Sequence, residues 1–215
     1  MKSLILGFVS VPTPLTQRDK AYSLLAAHGM ARLSELKAAG ITAATLSRMV
    51  EDGEVVRLAR GLYQLADAQL DAHHALAAAS KLLPKGVVCL VSALAFHGLT
   101  DQMPPRVWIA IGQKDWAPSQ KASRFRIVRF TDALLSEAVE THTIEGVPVR
   151  IFGVARTVAD CFRHRRSVGL TVALEGLQEA LRQGKVTPAE IVRQAQRGGV
   201  GTIVRPYLEA LTANA

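Results

Sequence analysis

The 215-residue sequence predicts an α+β protein in two parts, an N-terminal domain of short helices closed by a two-stranded ribbon and a mixed α/β C-terminal domain ending in several helices. Three observations predict it. The first is the run Ile41 to Leu65, which reads as a short amphipathic helix, a glycine stop and a hairpin. The second is a set of separated β-branched and aromatic runs between Val87 and Phe152. The third is the helical periodicity that takes over after Val154.

In chain order, MKSLILGFVSVPTPL has one Lys and a short apolar stretch interrupted by Pro12 and Pro14, without a small-residue cleavage site. Residues 1–15 are therefore expected to form a flexible or strand-like arm. From Asp19 to His28, Ala21, Leu24 and Leu25 predict a first helix that Gly29 breaks, and Leu33 and Leu36 predict a second over Arg32 to Ala39. Ala39-Gly40-Ile41 is the tight turn into a third. Thr42 can cap that third helix, because its hydroxyl accepts from a first-turn N–H that has no intrahelical partner. Leu46, Met49 and Val50 recur at helical spacing and face a core, while Ala43, Ala44, Thr45, Ser47 and Arg48 point outward. Gly53 after Asp52 ends the helix. Val55, Val56 and Leu58, then Leu62, Tyr63 and Leu65, flank a turn at Arg60-Gly61 and make a hairpin, with Arg57 and Arg60 at or near its tip.

Helix, turn, helix and ribbon in this order read as a winged helix-turn-helix over residues 1–66. Small or cationic residues on the outer face suit a helix in a major groove, and guanidinium groups at the ribbon tip suit backbone phosphate or the adjoining minor groove. The same shape also serves as a protein-contact scaffold.

Residues 67–84 are alanine-rich and predict a connecting helix over Asp67 to Leu83, closed by Pro84 and Gly86. In the second domain, residues 85–215, Val87 to Val91 reads as a strand, and Ser92 is expected to cap the helix ALAFHGL that Gly98 ends. Val107 to Ile111, Phe125 to Phe130 and Val147 to Phe152 complete a small mixed sheet. Helices follow over VARTVADCFRH, Val168 to Arg182, from Thr187-Pro188 through Val192, and from about Gly201 to Leu211, with Thr187 as cap and proline at the first helical position. Gly112 to Ser123 is the longest loop, and its Trp116 is expected to pack back on the sheet.

Composition bounds the function. Formal net charge is +8 and hydrophobic residues make up 49 %, which favours polyanionic partners and a packed core rather than disorder. Residues 1–66 hold eight Lys+Arg against five Asp+Glu, and the remainder eighteen against thirteen, so the excess is shared by both parts. Arg124, Arg126 and Arg129 with Arg163, Arg165 and Arg166 form a possible second basic face, if they meet in space, for DNA or RNA; a solvated charged surface is the other reading. Cys89 and Cys161 sit in apolar surroundings and read as buried hydrophobes of a reducing compartment, with a cytoplasmic location expected. No stretch approaches the ~20 apolar residues that span a bilayer.

Catalytic chemistry is not evident. VWIAIGQKDW lacks the acidic set that a metal-dependent nuclease needs. Ser92 and His97, five apart on one helix, point to different faces without a nucleophile elbow. His73-His74 diverge and find no zinc set, and GGVG near Gly198 reads as a helix end rather than a phosphate loop. Arg156 and Asp160 can pair across one helical turn, worth a few tenths of a kcal/mol if exposed. No catalytic residue, metal or cofactor is expected.

ARGLYQL, VSALAFHGLTDQMPPRVWIAI, VRIFGVARTVADCFRHR and VALEGLQEAL, in this order, resemble the AbiEi antitoxin family of type IV toxin–antitoxin systems from about Asp19 to Leu211, with SALAFHGL and RTVADCF the most distinctive pieces. The resemblance implies a repressor that binds double-stranded operator DNA, with inverted repeats, through its N-terminal domain and autoregulates its operon in phage defence. It also implies a C-terminal domain that opposes a nucleotidyltransferase toxin without a stable complex. The alternative left open is a stand-alone winged-helix regulator or a protein- or RNA-binding module.

Overall fold

The computed structural model describes residues 15–117 and 124–213; the arm over residues 1–14 and part of the Gly112–Ser123 loop lie outside them. The chain divides into two compact units, with the boundary between Ala68 and Gln69.

In the first unit α1 (Gln17–His28) precedes β1 (Met30–Arg32), α2 (Leu33–Ala38), α3 (Ala43–Glu51), β2 (Val55–Ala59) and β3 (Leu62–Leu65). This is the winged helix-turn-helix order. α1 starts two residues earlier than its apolar pattern because Thr16 and Asp19 form a capping box: the Thr16 hydroxyl accepts from Asp19 N–H while the Asp19 carboxylate accepts from Thr16 N–H. The short strand β1 has no sequence signature of its own. It exists because it completes an antiparallel sheet of order β1-β3-β2, pairing Ala31 with Tyr63. Ala21, Leu25, Ala31, Leu36, Ile41, Leu46, Met49 and Val55 form the core beneath the sheet.

In the second unit, α4 (His74–Leu82) leads into β4 (Val87–Val88), α5 (Leu90–Phe96), β5 (Val107–Gly112), β6 (Phe125–Phe130), α6 (Asp132–Ser136), β7 (Val139–Ile144) and β8 (Val147–Phe152). Five helices follow: α7 (Val154–Arg163), α8 (Arg165–Val168), α9 (Leu170–Arg182), α10 (Pro188–Arg197) and α11 (Gly201–Thr212). The sheet runs β6-β5-β4-β8-β7, with β5/β6 and β4/β8 parallel and β4/β5 and β7/β8 antiparallel. The fold is mixed α/β, as its strand and helix signals indicate.

Several elements differ from the sequence reading. The Val87–Val91 strand stops at Val88, because Leu90 takes a left-handed φ of 48° and opens α5. Ser92 consequently lies inside that helix, buried, its Oγ accepting from Trp108 N–H at 3.0 Å, and Cys89 occupies the cap. β7, whose VETHTI alternates weakly, is held by the β8 ladder through a turn at Glu145 and Gly146, both with positive φ, as a type I′ hairpin turn requires. Gly169 at φ 99° separates α8 from α9, interrupting the helix read from Val168. Trp116 does not pack on the sheet; it is 74 % exposed. The helix over residues 74–82 packs on β8 within the second unit, and Glu145 binds its approach, accepting from Asp71 N–H at 2.7 Å and meeting His74 Nδ1 at 2.9 Å.

The RTVADCF segment of α7 is almost wholly buried in the core against α5, α9 and α10. Arg156 is only 1 % exposed, with its Nε on Asp160 Oδ2 at 2.6 Å. Its Cζ stands 5.0 Å from the Phe152 ring and 5.6 Å from that of Phe130. The pair is therefore a desolvated one and not the exposed i,i+4 pair that its spacing alone suggests. Burial, partly offset by Arg156, pushes the Asp160 carboxyl above the usual carboxylate range, and burial pushes the Cys161 thiol above the ordinary range for a thiol. The cysteine is thus an inert core residue.

A candidate nucleic-acid interface

The site is built on α3 and the β2–β3 ribbon. Thr42 caps α3, its hydroxyl accepting from Thr45 N–H at 3.2 Å. Leu46 and Met49 go into the core with Ile41. At 100° per residue this leaves Ala43, Ala44, Ser47 and Arg48 on one arc, and all four are exposed. Ala43, Ala44 and Ser47 are short enough to let the helix backbone approach a base edge closely. Arg48 is exposed, and its Nε donates to Ala44 O at 3.4 Å.

Two corrections sharpen this surface. Thr45 is half-buried and its hydroxyl donates to Gln17 Oε1 at 2.7 Å, so it holds the helix rather than facing outward. Glu51, which the outward set omits, is exposed on the same arc in the last turn, and its carboxylate would repel phosphate. The usable face is therefore the first two turns, the part of a recognition helix that meets base edges.

The sequence reading also missed the clamp on α3. Gln17 Oε1 accepts from Thr42 N–H at 3.0 Å and Thr42 Oγ1 at 3.1 Å as well as from Thr45. Arg18, the next residue, pairs with Asp52 and reaches Glu54 at 3.4 Å. The first turn of α1 thus grips both ends of α3. The signal available in the sequence was the Thr16-x-x-Asp19 capping box, which places Gln17 and Arg18 in the first turn of α1.

On the ribbon, Arg57 and Arg60 are exposed. A register shift between Arg57 and Ala59 bulges β2, and Arg57 Nε donates to Ala59 O at 3.4 Å. Gly61 turns the ribbon at φ 75°, a conformation that costs an L side chain strain, and Gly61 O accepts from Leu33 N–H at 2.8 Å, anchoring the ribbon to α2. Arg60 makes no hydrogen bond or ion pair with any of the described residues. Asp52 and Glu54 are both engaged by Arg18, whose single charge offsets one of the two carboxylates.

The six arginines expected as a second basic face do not converge. Arg129 Nη1 donates to the carbonyls of Gly112, Gln113 and Asp115 at 2.7–3.0 Å, binding a turn instead of a ligand. Arg165 Nη1 donates to Phe162 O at 3.0 Å, and Arg163 lies 5.9 Å from the Phe130 ring. Arg166 is exposed beyond it on α8. Arg124 and Arg126 are exposed at the start of β6, with Arg126 stacked on Trp108 at 4.0 Å. Arg124 and Arg126 open β6, while Arg163 lies by the ring of Phe130 at its other end.

Ser92 and His97 are not a catalytic couple. Ser92 bonds the β5 backbone, and His97 Nε2 is 2.8 Å from Phe152 O, with burial lowering its pKa. Among the described residues no group of three or more His, Cys, Asp or Glu is placed to hold a metal ion, and no helix is long and apolar enough to cross a membrane.

The fold and its N-terminal part have counterparts among known proteins. The fold is similar to the crystal structure of the RV2827C protein from Mycobacterium tuberculosis, with a TM-score of 0.58 at 15 % identity over 92 % of this chain and 80 % of that one. No curated protein matches the sequence. Residues 19–66, which carry α2, α3, the ribbon and most of α1, match the family described as transcriptional regulator, AbiEi antitoxin. Over these residues the winged helix-turn-helix is similar to the AbiEi antitoxin transcriptional regulators.

Proposed function

We propose that this protein is the DNA-binding repressor and antitoxin of a type IV toxin–antitoxin system, autoregulating its operon and counteracting a nucleotidyltransferase toxin without forming a stable complex. The observation that carries the DNA half is the exposed arc of Ala43, Ala44, Ser47 and Arg48 beside the unpaired Arg60. In this reading the first two turns of α3 enter the major groove of an operator with inverted repeats, Ser47 and Arg48 meet base edges or phosphate, and Arg57 and Arg60 hold the flanking backbone. Thr45 acts from behind, through Gln17. The family match supports the regulator half directly, and the order of SALAFHGL, RTVADCF and VALEGLQEAL supports the antitoxin half.

A mobility shift on the DNA upstream of its own reading frame, at physiological salt, tests the first half. A specific shift that survives excess unrelated duplex is expected, and its absence would return the winged helix to the role of a protein-contact scaffold. Co-expression with the nucleotidyltransferase of the neighbouring frame tests the second: growth is restored if the chain is its antitoxin.

A further inference from the structure

The mouth of the β5–β6 ladder carries three arginines that neither the operator reading nor the fold uses. Val107 N–H donates to Arg124 O at 3.0 Å, and Trp108 pairs with Arg126 in parallel register. The alternation of the pleat then sets Arg106, Arg124 and Arg126 on the same face. None of the three forms an ion pair among the described residues, so like charges on neighbouring strands stand together without a carboxylate, an arrangement that is unfavourable unless an anion joins it. Arg126 lies over Trp108, its Cζ 4.0 Å from the ring centroid, and Trp108 is only 5 % exposed. Arg106, Trp108 and Arg126, with Pro105, Phe125 and Ile127, line a concavity of about 440 Å³, and Arg124 stands beside it in sequence.

We propose that this concavity is a binding site for single-stranded nucleic acid, in which a base stacks on the outer face of the Arg126 guanidinium and the flanking phosphates meet Arg106 and Arg124. A charged edge strand alone would serve only to prevent edge pairing. Here one guanidinium sits over an indole ring while its residue remains exposed to solvent. Planar arginine is a stacking platform for an unpaired base, and Pro105 in the same lining offers an apolar edge to it. A duplex keeps its bases stacked within itself and could offer this site only phosphate. The inference rests on the second unit and is independent of the operator reading.

The test uses the full chain with Trp116→Phe, which leaves Trp108 as the sole tryptophan. Its fluorescence reports this concavity even if oligonucleotide also binds the winged helix. A short oligodeoxythymidylate should change Trp108 emission saturably. Arg126→Lys, which keeps the charge and the aliphatic cover over Trp108 but loses the planar face, should weaken the response about ten-fold. Arg106→Gln with Arg124→Gln should lower the salt slope by roughly 1.4. Operator binding by the Arg126→Lys chain should be unchanged, which separates this site from the winged helix. No change in Trp108 emission, an equal response to a duplex or to polyglutamate, or an undiminished response in Arg126→Lys would each overturn the proposal.

Discussion

Replacing Asp160 by Asn should destabilise the second unit by about 3–5 kcal/mol, the cost of stranding a buried charge. The magnitude follows from the surroundings of Arg156. Its side chain and that of Asp160 are 1 % and 2 % exposed, and the Nε–Oδ2 contact of 2.6 Å is the one short hydrogen bond the guanidinium makes. Nη1 and Nη2 are buried without a hydrogen bond among the described residues; the nearest carboxylate to Nη1 is Glu137, 3.8 Å away, which Arg197 shares at 3.1 Å. The rings of Phe130 and Phe152 recover part of the desolvation through cation–π attraction, but not the loss of the countercharge. Against a total stability of roughly 5–15 kcal/mol, the substitution removes a large share. Urea unfolding followed by tryptophan emission is the suitable assay, since both tryptophans, Trp108 and Trp116, lie in the second unit. Arg156→Met combined with Asp160→Leu should restore stability to within about 1 kcal/mol of the parent or exceed it, because no charge is then left buried. A loss below about 1 kcal/mol for Asp160→Asn would refute the claim that the pair is desolvated and mutually dependent.

Three further outcomes are expected. Gln17→Leu removes the acceptor that holds Thr42 and Thr45, and should weaken specific operator binding about ten-fold while leaving non-specific DNA affinity nearly unchanged, as measured by anisotropy on operator and unrelated duplexes; equal losses on both would contradict a positioning role. Burial lowers the pKa of His97 below 6.5, so the unfolded chain takes up a proton that the folded one resists. Stability should therefore fall as pH drops below 6.5, and His97→Gln should flatten part of that decline in urea titrations between pH 7 and 5. Hydrogen bonds from Arg182 and Gln183 hold the Glu179 carboxyl down at about 2. Its contribution is present above its ordinary 4.5 and lost as pH falls toward 2, so Glu179→Gln should reduce acid sensitivity in that window alone.

Much of the winged helix was legible because its signals are local. A cap at Thr42, a 3.6-residue apolar stripe and a glycine turn each act within a few residues, and the structure places α3 and the ribbon close to where these put them. β1 and β7 were not legible because nothing in MAR or VETHTI demands a strand; long-range pairing with β3 and β8 imposes it. Ser92 shows the same limit: its sequence position suggests a cap, and only the arrival of β5 against α5 converts its hydroxyl into an acceptor for Trp108 N–H. The i,i+4 spacing of Arg156 and Asp160 indicates a pair, but spacing says nothing of burial, and burial changes the energy scale several-fold. Gln17 was overlooked because it acts across 28 residues of sequence on Thr45. Composition likewise counts arginines without showing that Arg129 is engaged by backbone carbonyls.

In the operator reading, α3 and the ribbon hold DNA through Arg48 and Arg60. The most direct measurement is the salt dependence of operator affinity for the parent, Arg48→Ala and Arg60→Ala. Arg60→Ala should weaken binding and reduce the slope of log K against log salt by about 0.9, the signature of one lost phosphate contact. Arg48→Ala should weaken operator binding with the fold intact by circular dichroism. Unchanged affinity and slope in both variants would contradict the account.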